Sequence, residues 1–276
     1  IGRSVFEALD REAERYIEFG FGEARTVHSA SQKLLEEMGF TAVGFEPMKY
    51  MLEHRESFVI YAKLYGHASE LRHNRILIIP QITELAANAI SAMGLVLDMG
   101  VDTYAGRYPR DNDLVAEQIH ETHMPRLLRI EFGRVLMPEI FGSLHLNYGF
   151  FKIRSKNARY LIAKRDDEAC GAVGYTQDPI DRKMKIFELV AEDEFVKGFL
   201  LDEVVALADR EGMMYMEADV SAYSPRMQRT FYDLGFRPIS YMPAMVFQDI
   251  ERLDVIRFAR LTCALETGEM SLTEKG

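Results

Sequence analysis

Apolar residues recur at helical spacing from about Ser4 to Phe19, where Val5, Ala8, Leu9 and Ala13 alternate with charged positions, and the spacing predicts an opening helix. A short strand is expected near Glu23 to Val27. Ser29 or Ser31 is placed to cap the next helix, with Leu34, Leu35 and Met38 as its apolar stripe and Gly39 as the left-handed residue that stops it. β-Branched and aromatic content predicts a strand over Phe58–Tyr65. A polar break at Leu71–Asn74 follows, then a buried strand over Arg75–Pro80 and a helix over Ile82–Met93 closed by Gly94. Gly, Asp, Pro and Asn crowd the stretch from Asp98 to Asp113, which reads as a linker, with a domain boundary between positions 105 and 106.

Beyond the boundary the pattern predicts strands over Leu127–Phe132, Ala158–Lys164, Ala169–Gln177 and Lys185–Val190. The polar turn Arg165-Asp166-Asp167-Glu168 joins two of them as an antiparallel hairpin. A helix over Phe199–Arg210, a strand over Met213–Val220, a helix over Pro225–Leu234 ended by Gly235 and a strand over Arg237–Phe247 complete an α+β order with mixed pairing.

One segment occurs twice. Gln32-Lys33-Leu34-Leu35-Glu36-Glu37-Met38-Gly39-Phe40, with Pro47 beyond it, returns as Gln228-Arg229-Thr230-Phe231-Tyr232-Asp233-Leu234-Gly235-Phe236 with Pro243. The register is kept: 235 − 39 and 243 − 47 both give 196. A period of that length implies duplicated domains, positions 1–105 and 106–276, rather than a solenoid of short repeats.

Composition narrows the function. With 276 residues and 48% hydrophobic content the chain can build real cores. A net charge of −10 argues against a nucleic-acid partner, whose phosphates are held by clustered Lys and Arg. Cys170 and Cys263 give no disulfide framework, and no long apolar run marks a membrane span, so a cytoplasmic protein is expected. The opening at Ile1, without Met and directly on a helical pattern, reads as the continuation of a longer chain.

The order of elements, and the helix ending Tyr232-Asp233-Leu234-Gly235-Phe236, resemble the GCN5-related N-acetyltransferase (GNAT) superfamily. Ile1-Gly2-Arg3-Ser4 entering a long helix looks like the tail of that family's Arg-x-x-Gly-x-Gly acetyl-CoA loop. The run from Val27 to Phe40, Arg55-Glu56-Ser57 and Ile79-Pro80 are similar to segments of bacterial members. The resemblance covers residues 1 to about 95 as the back half of one domain and about 113 to 250 as a second, whole one. It implies a mixed, mostly antiparallel twisted sheet flanked by helices, present twice with a partial first copy. It also implies acetyl-CoA as co-substrate, a small-molecule or peptide amine as acceptor and no metal.

The same resemblance implies cofactor contacts at Ile1, Gly2, Arg3, Ser4 and Ser29, with Tyr232 as general acid and His28 as a base at a strand end. Tyr232 has Glu36 as its counterpart in the first copy. In the second copy the loop before the helix reads Ala191-Glu192-Asp193-Glu194-Phe195-Val196-Lys197-Gly198, where three acids repel a pyrophosphate and glycines are replaced.

Glu117, His120 and His123 have a spacing that suits one helical face, but without the His-Glu-x-x-His zinc signature they read as linker. His54, His67 and His73 read as scattered loop residues, and the fifteen methionines as core filler. Three classes follow: an acyl-CoA-dependent N-acetyltransferase, a non-enzymatic module of the same fold, and an acyl transferase using a large carrier. The incomplete first copy leaves a sheet edge that another chain, as in a homodimer, or a segment outside this sequence would cover.

Overall fold

A computed structural model describes residues 2–119, 124–133, 138–142, 158–264 and 270–274. Residues 1–103, 238–257 and 264–276 form one compact unit; residues 104–237 and 258–263 form a second. The chain therefore passes between units more than once. The sequence suggested a single cut between 105 and 106, but a late strand pairs with the first unit's sheet.

The first unit holds α1 (Gly2–Tyr16), β1 (Phe19–Arg25), α2 (Ala30–Glu37), β2 (Thr41–Met51), β3 (Arg55–Leu64), β4 (Arg75–Ile78), a 3-10 turn at Pro80–Ile82, α3 (Thr83–Ala92) and β5 (Asp98–Val101). β3 returns between β1 and β2, antiparallel to both. Gly39 sits at φ +81 and ends α2, a conformation that costs a side chain and suits glycine. α1 is tied to the sheet through Asp10, which accepts from Lys63 Nζ (2.8 Å) and the Tyr65 hydroxyl (2.5 Å). β5 lies in the stretch expected to be a linker and pairs in parallel with β4; only four residues long, it offers no periodicity to read.

The second unit holds β6 (Val115–Gln118), α4 (Met124–Gly133), β7 (Ile140–Phe141), β8 (Ala158–Arg165), β9 (Glu168–Asp178), β10 (Lys183–Ala191), α5 (Glu194–Arg210), β11 (Tyr215–Ser221) and α6 (Pro225–Asp233). β6, β8, β9 and β10 pair antiparallel in that order, and β10 pairs in parallel with β11. Asp166 and Asp167 both have positive φ (+50 and +64) between the paired Arg165 and Glu168, as a two-residue primed turn requires. The expected strand over Leu127–Phe132 is helical instead. Pro125 fits the first turn of α4, where its missing N–H costs nothing, and Leu127 and Ile130, three apart, are buried against Tyr160 and Phe187. Burial of a leucine of this kind is worth about 1.5–3 kcal/mol. Glu117 belongs to β6, so the helical face proposed for it does not form; His120 and His123 lie outside the described residues.

β12 (Arg237–Gln248) and β13 (Glu251–Leu261) close the order, β12 beside β2 and residues 251–257 of β13 also within the first unit. The fold class is thus the expected one: α+β, with mostly antiparallel sheets flanked by helices.

The repeat extends to individual hydrogen bonds. Gln32 Nε2 donates to the Arg25 carbonyl (3.0 Å), and Gln228 Nε2, 196 positions on (228 − 32), donates to the Ser221 carbonyl (2.9 Å). Met48 and Ala244, again 196 apart (244 − 48), both hold φ at +53. The Met48 N–H donates to Ser57 Oγ and its carbonyl accepts from Arg55, while the Ala244 N–H donates to Asp254 Oδ1 and its carbonyl accepts from Arg252. Asp254 also accepts from Nε and Nη2 of buried Arg72 and from the Tyr241 hydroxyl (2.6 Å).

Candidate functional site

β10 and β11 run side by side from Lys183↔Tyr215 to Ile186↔Ala218, and then β10 breaks register between Ile186 and Glu188. Beyond that point β11 pairs with β7 instead: Asp219 faces Phe141, Val220 faces Ile140, and the Ser221 N–H donates to the Glu139 carbonyl (3.0 Å). The parting of the two strands, which would otherwise expose backbone donors and acceptors, is filled by the chain itself.

The neighbouring helix start is filled too. Asp193 caps α5 by accepting from the Val196 N–H (2.9 Å). The acids of the loop are paired: Glu192 with Arg126, Asp193 with Arg165 (3.2 Å) and Glu194 with Arg226 (2.5 Å). A Cβ on Gly198 would lie 2.0 Å from the Pro109 carbonyl oxygen, so glycine here serves the passage of residues 108 and 109 across the helix. The Glu139 carboxylate accepts from Tyr108 and Ser224 hydroxyls (2.5 Å each) and from Lys197 Nζ. Burial alone would raise Glu139, but Lys197, Ser224 and Tyr108 hold it below the usual carboxylate range; burial and that carboxylate push the Tyr108 phenol up.

In the first unit the residues implied by the resemblance lie as follows. Ile1 is outside the described residues. Gly2, Arg3 and Ser4 form the first turn of α1, which carries no acidic residue, and Ser4 is exposed. That turn suits an anion, since the first N–H groups of a helix have no partner within it. His28 is exposed after β1. Ser29 occupies the cap position of α2, but only its carbonyl acts, accepting from the Lys33 N–H (3.0 Å); its side chain makes no cap bond.

Close by is a pair that sequence reasoning did not single out. Buried Glu56 takes two bonds from the Arg25 guanidinium (2.6 and 2.5 Å). Bonding to Arg25 overrides burial and, with the charges of His54 and His28, holds the Glu56 carboxyl below its ordinary range. Arg25 and Glu56 are thirty-one residues apart, and nothing in the pattern pairs them; the Arg55-Glu56-Ser57 run stands out in the sequence only by its similarity to bacterial members of the family. His54, taken as a stray loop residue, is thereby placed in the field of the same carboxylate as His28.

Tyr232 belongs to the other unit. Its half-buried ring lies under the guanidinium groups of Arg237 (4.4 Å) and Arg229 (5.9 Å). Its counterpart Glu36 accepts from the Tyr61 hydroxyl (2.8 Å) and from Thr273 Oγ1. Residues near the C-terminal end dock there: Gln32 Nε2 donates to the Ser271 carbonyl, and the Ser271 N–H donates to Thr26 (2.7 Å). Among the described residues β1 is the outer strand of its sheet, beside β3, and Ser271 meets the chain just past its end.

No family model matches the sequence, and no curated protein does. Solved structures do. The chain is similar to the ribosomal-protein-S18-alanine N-acetyltransferase from Escherichia coli (TM-score 0.45, 13% identity, 58% of this chain and 99% of that one). It is similar to an IAA acetyltransferase from Bacillus cereus (0.41, 19%, 54% and 99%) and to a spermidine N-acetyltransferase from Vibrio cholerae solved as a dodecamer (0.46, 12%, 55% and 95%). The likeness is one of fold. Among the described residues no helix is long and apolar enough to cross a membrane.

Proposed function

We propose that the chain is an acyl-CoA-dependent N-acyltransferase. In the simplest case it passes the acetyl group of acetyl-CoA to an amine of a small molecule or peptide. The transfer is assigned to the first unit. The observation that carries this reading is the exposed His28 between β1 and α2, acting on the buried Glu56 that Arg25 holds. In the reaction the amine nitrogen bonds to the thioester carbonyl carbon, the C–S bond breaks, and the amine's proton must leave as the thiolate gains one. An imidazole with a carboxylate nearby is suited to taking that proton. Gly2, Arg3 and Ser4 at the start of α1 would hold the phosphates through backbone N–H groups. Tyr232, covered by two guanidinium groups, is given no proton-transfer role.

The second unit we read as a non-catalytic acetyltransferase-like module, because β7 lies along β11 where β10 parts from it and three acids, Glu192, Asp193 and Glu194, stand at the start of α5. The two units together are read as unequal descendants of one duplicated domain, supported by the hydrogen bonds that recur at Gln32 and Gln228 and at Met48 and Ala244. The test is thiol release from acetyl-CoA over a panel of polyamines and peptides with free N-termini. Turnover that falls in His28→Ala supports the assignment; the absence of thiol release with every amine, together with no acetyl-CoA binding by calorimetry, removes it.

A further inference from the structure

The filling of the second unit's cleft has the form of a plug. β7 is two residues long and meets β11 at two paired positions, whereas β9 follows β10 over eight. Ile140 and Phe141 are buried, so the segment seals an apolar slot against β11. The Glu139 side chain anchors it, with one oxygen on the Tyr108 and Ser224 hydroxyls and the other on Lys197. Ser224 precedes α6 and Lys197 lies in the first turn of α5, so the carboxylate occupies a place built of hydroxyl and ammonium donors beside two helix starts. Arg226 and Lys197 both stand over the Tyr108 ring (4.7 and 4.8 Å), which fixes the floor of that place. Such a donor set suits an anion, carboxylate or phosphate, and the chain supplies the carboxylate.

We propose that Glu139-Ile140-Phe141 is an autoinhibitory strand that competes with an acyl-CoA for the second unit, the carboxylate standing in for a phosphate and the strand for the amide-bearing arm. The inference rests on acyl-CoA being the ligand class of this fold. Withdrawing the strand frees the Ser221 N–H, the edge of β11 past Ala218, and the Lys197, Tyr108 and Ser224 donors together. No covalent step is involved.

Two variants test it from opposite sides of the anchor: Glu139→Ala, and Lys197→Met, which leaves β7 untouched. Circular dichroism and the melting transition confirm that each is folded. Hydrogen exchange is followed on a peptide spanning Tyr215–Ser221, and acetyl-CoA binding by calorimetry. The expected result is about tenfold faster exchange in that peptide and one more equivalent of acetyl-CoA bound per chain by Glu139→Ala than by the wild type. Unchanged exchange in both folded variants overturns the plug, and so does faster exchange with no added equivalent in Glu139→Ala. Because the readout is the difference from wild type, a wild-type chain that binds no acetyl-CoA tells against the first unit's assignment without touching this one.

Discussion

Gly44 and Ser240 face each other as paired residues across β2 and β12, and they are also each other's counterparts in the repeat, since 240 − 44 is 196. The approach is close: a Cβ on Gly44 would lie 2.3 Å from the Ser240 Cβ and 2.5 Å from the Ile239 carbonyl oxygen. Gly44→Ala is expected to lower stability by about 1–3 kcal/mol, as overpacking does, and thermal melts will read it. An unchanged melting temperature would mean that the two strands are not in contact here.

Asp254 collects Arg72, the Tyr241 hydroxyl and the Ala244 N–H with no exposure to solvent, so its removal is costly. Asp254→Ala should destabilise by about 3–5 kcal/mol in urea unfolding, because Arg72 is left buried without its counter-charge. The double replacement Arg72→Met with Asp254→Ala should recover part of that loss. If the double variant is worse than the sum of the singles, the pair is not the source.

The Arg25–Glu56 pair gives a pH signature. Glu56 is held below its ordinary value of 4.5 in the folded chain, so its contribution is present above that value and is lost as pH falls through the lower, folded one. Stability measured by urea midpoint from pH 5 downward should decline less steeply in Glu56→Gln than in the wild type. Parallel declines would show that the carboxylate is not stabilised by Arg25.

For activity, His28 and Tyr232 separate the two units. His28→Ala is expected to lower kcat by about 10²–10⁴-fold if it moves a proton, with Tyr232→Phe unchanged within error. A steady-state pH profile that keeps its acidic limb in His28→Ala would remove His28 from proton transfer.

What the sequence revealed and what it hid follow from range. α2 and α6 were legible because periodicity, a left-handed glycine and a following Phe are all local, and the turn at Asp166-Asp167 for the same reason. α4 was misread because Leu127, Leu128 and Ile130 make an apolar run too short to show its period. Arg25 with Glu56, and Glu139 with Tyr108, Lys197 and Ser224, were not legible at all: their partners are brought together by sheet pairing and helix placement, which leave no spacing in the chain.

The irregularity in β2 sets a rule of parity. Between the pairs Glu46↔Phe58 and Tyr50↔Glu56, three residues of β2, Pro47 to Lys49, stand against the single Ser57 of β3. Two surplus residues return the strand to the same face, so Glu46 and Tyr50 point alike and Tyr50 reaches Glu23 (3.1 Å). Insertions or deletions at this place are therefore tolerable in twos, whereas loss of one residue turns Tyr50 to the opposite side. Relatives of this chain should differ in length here by even numbers.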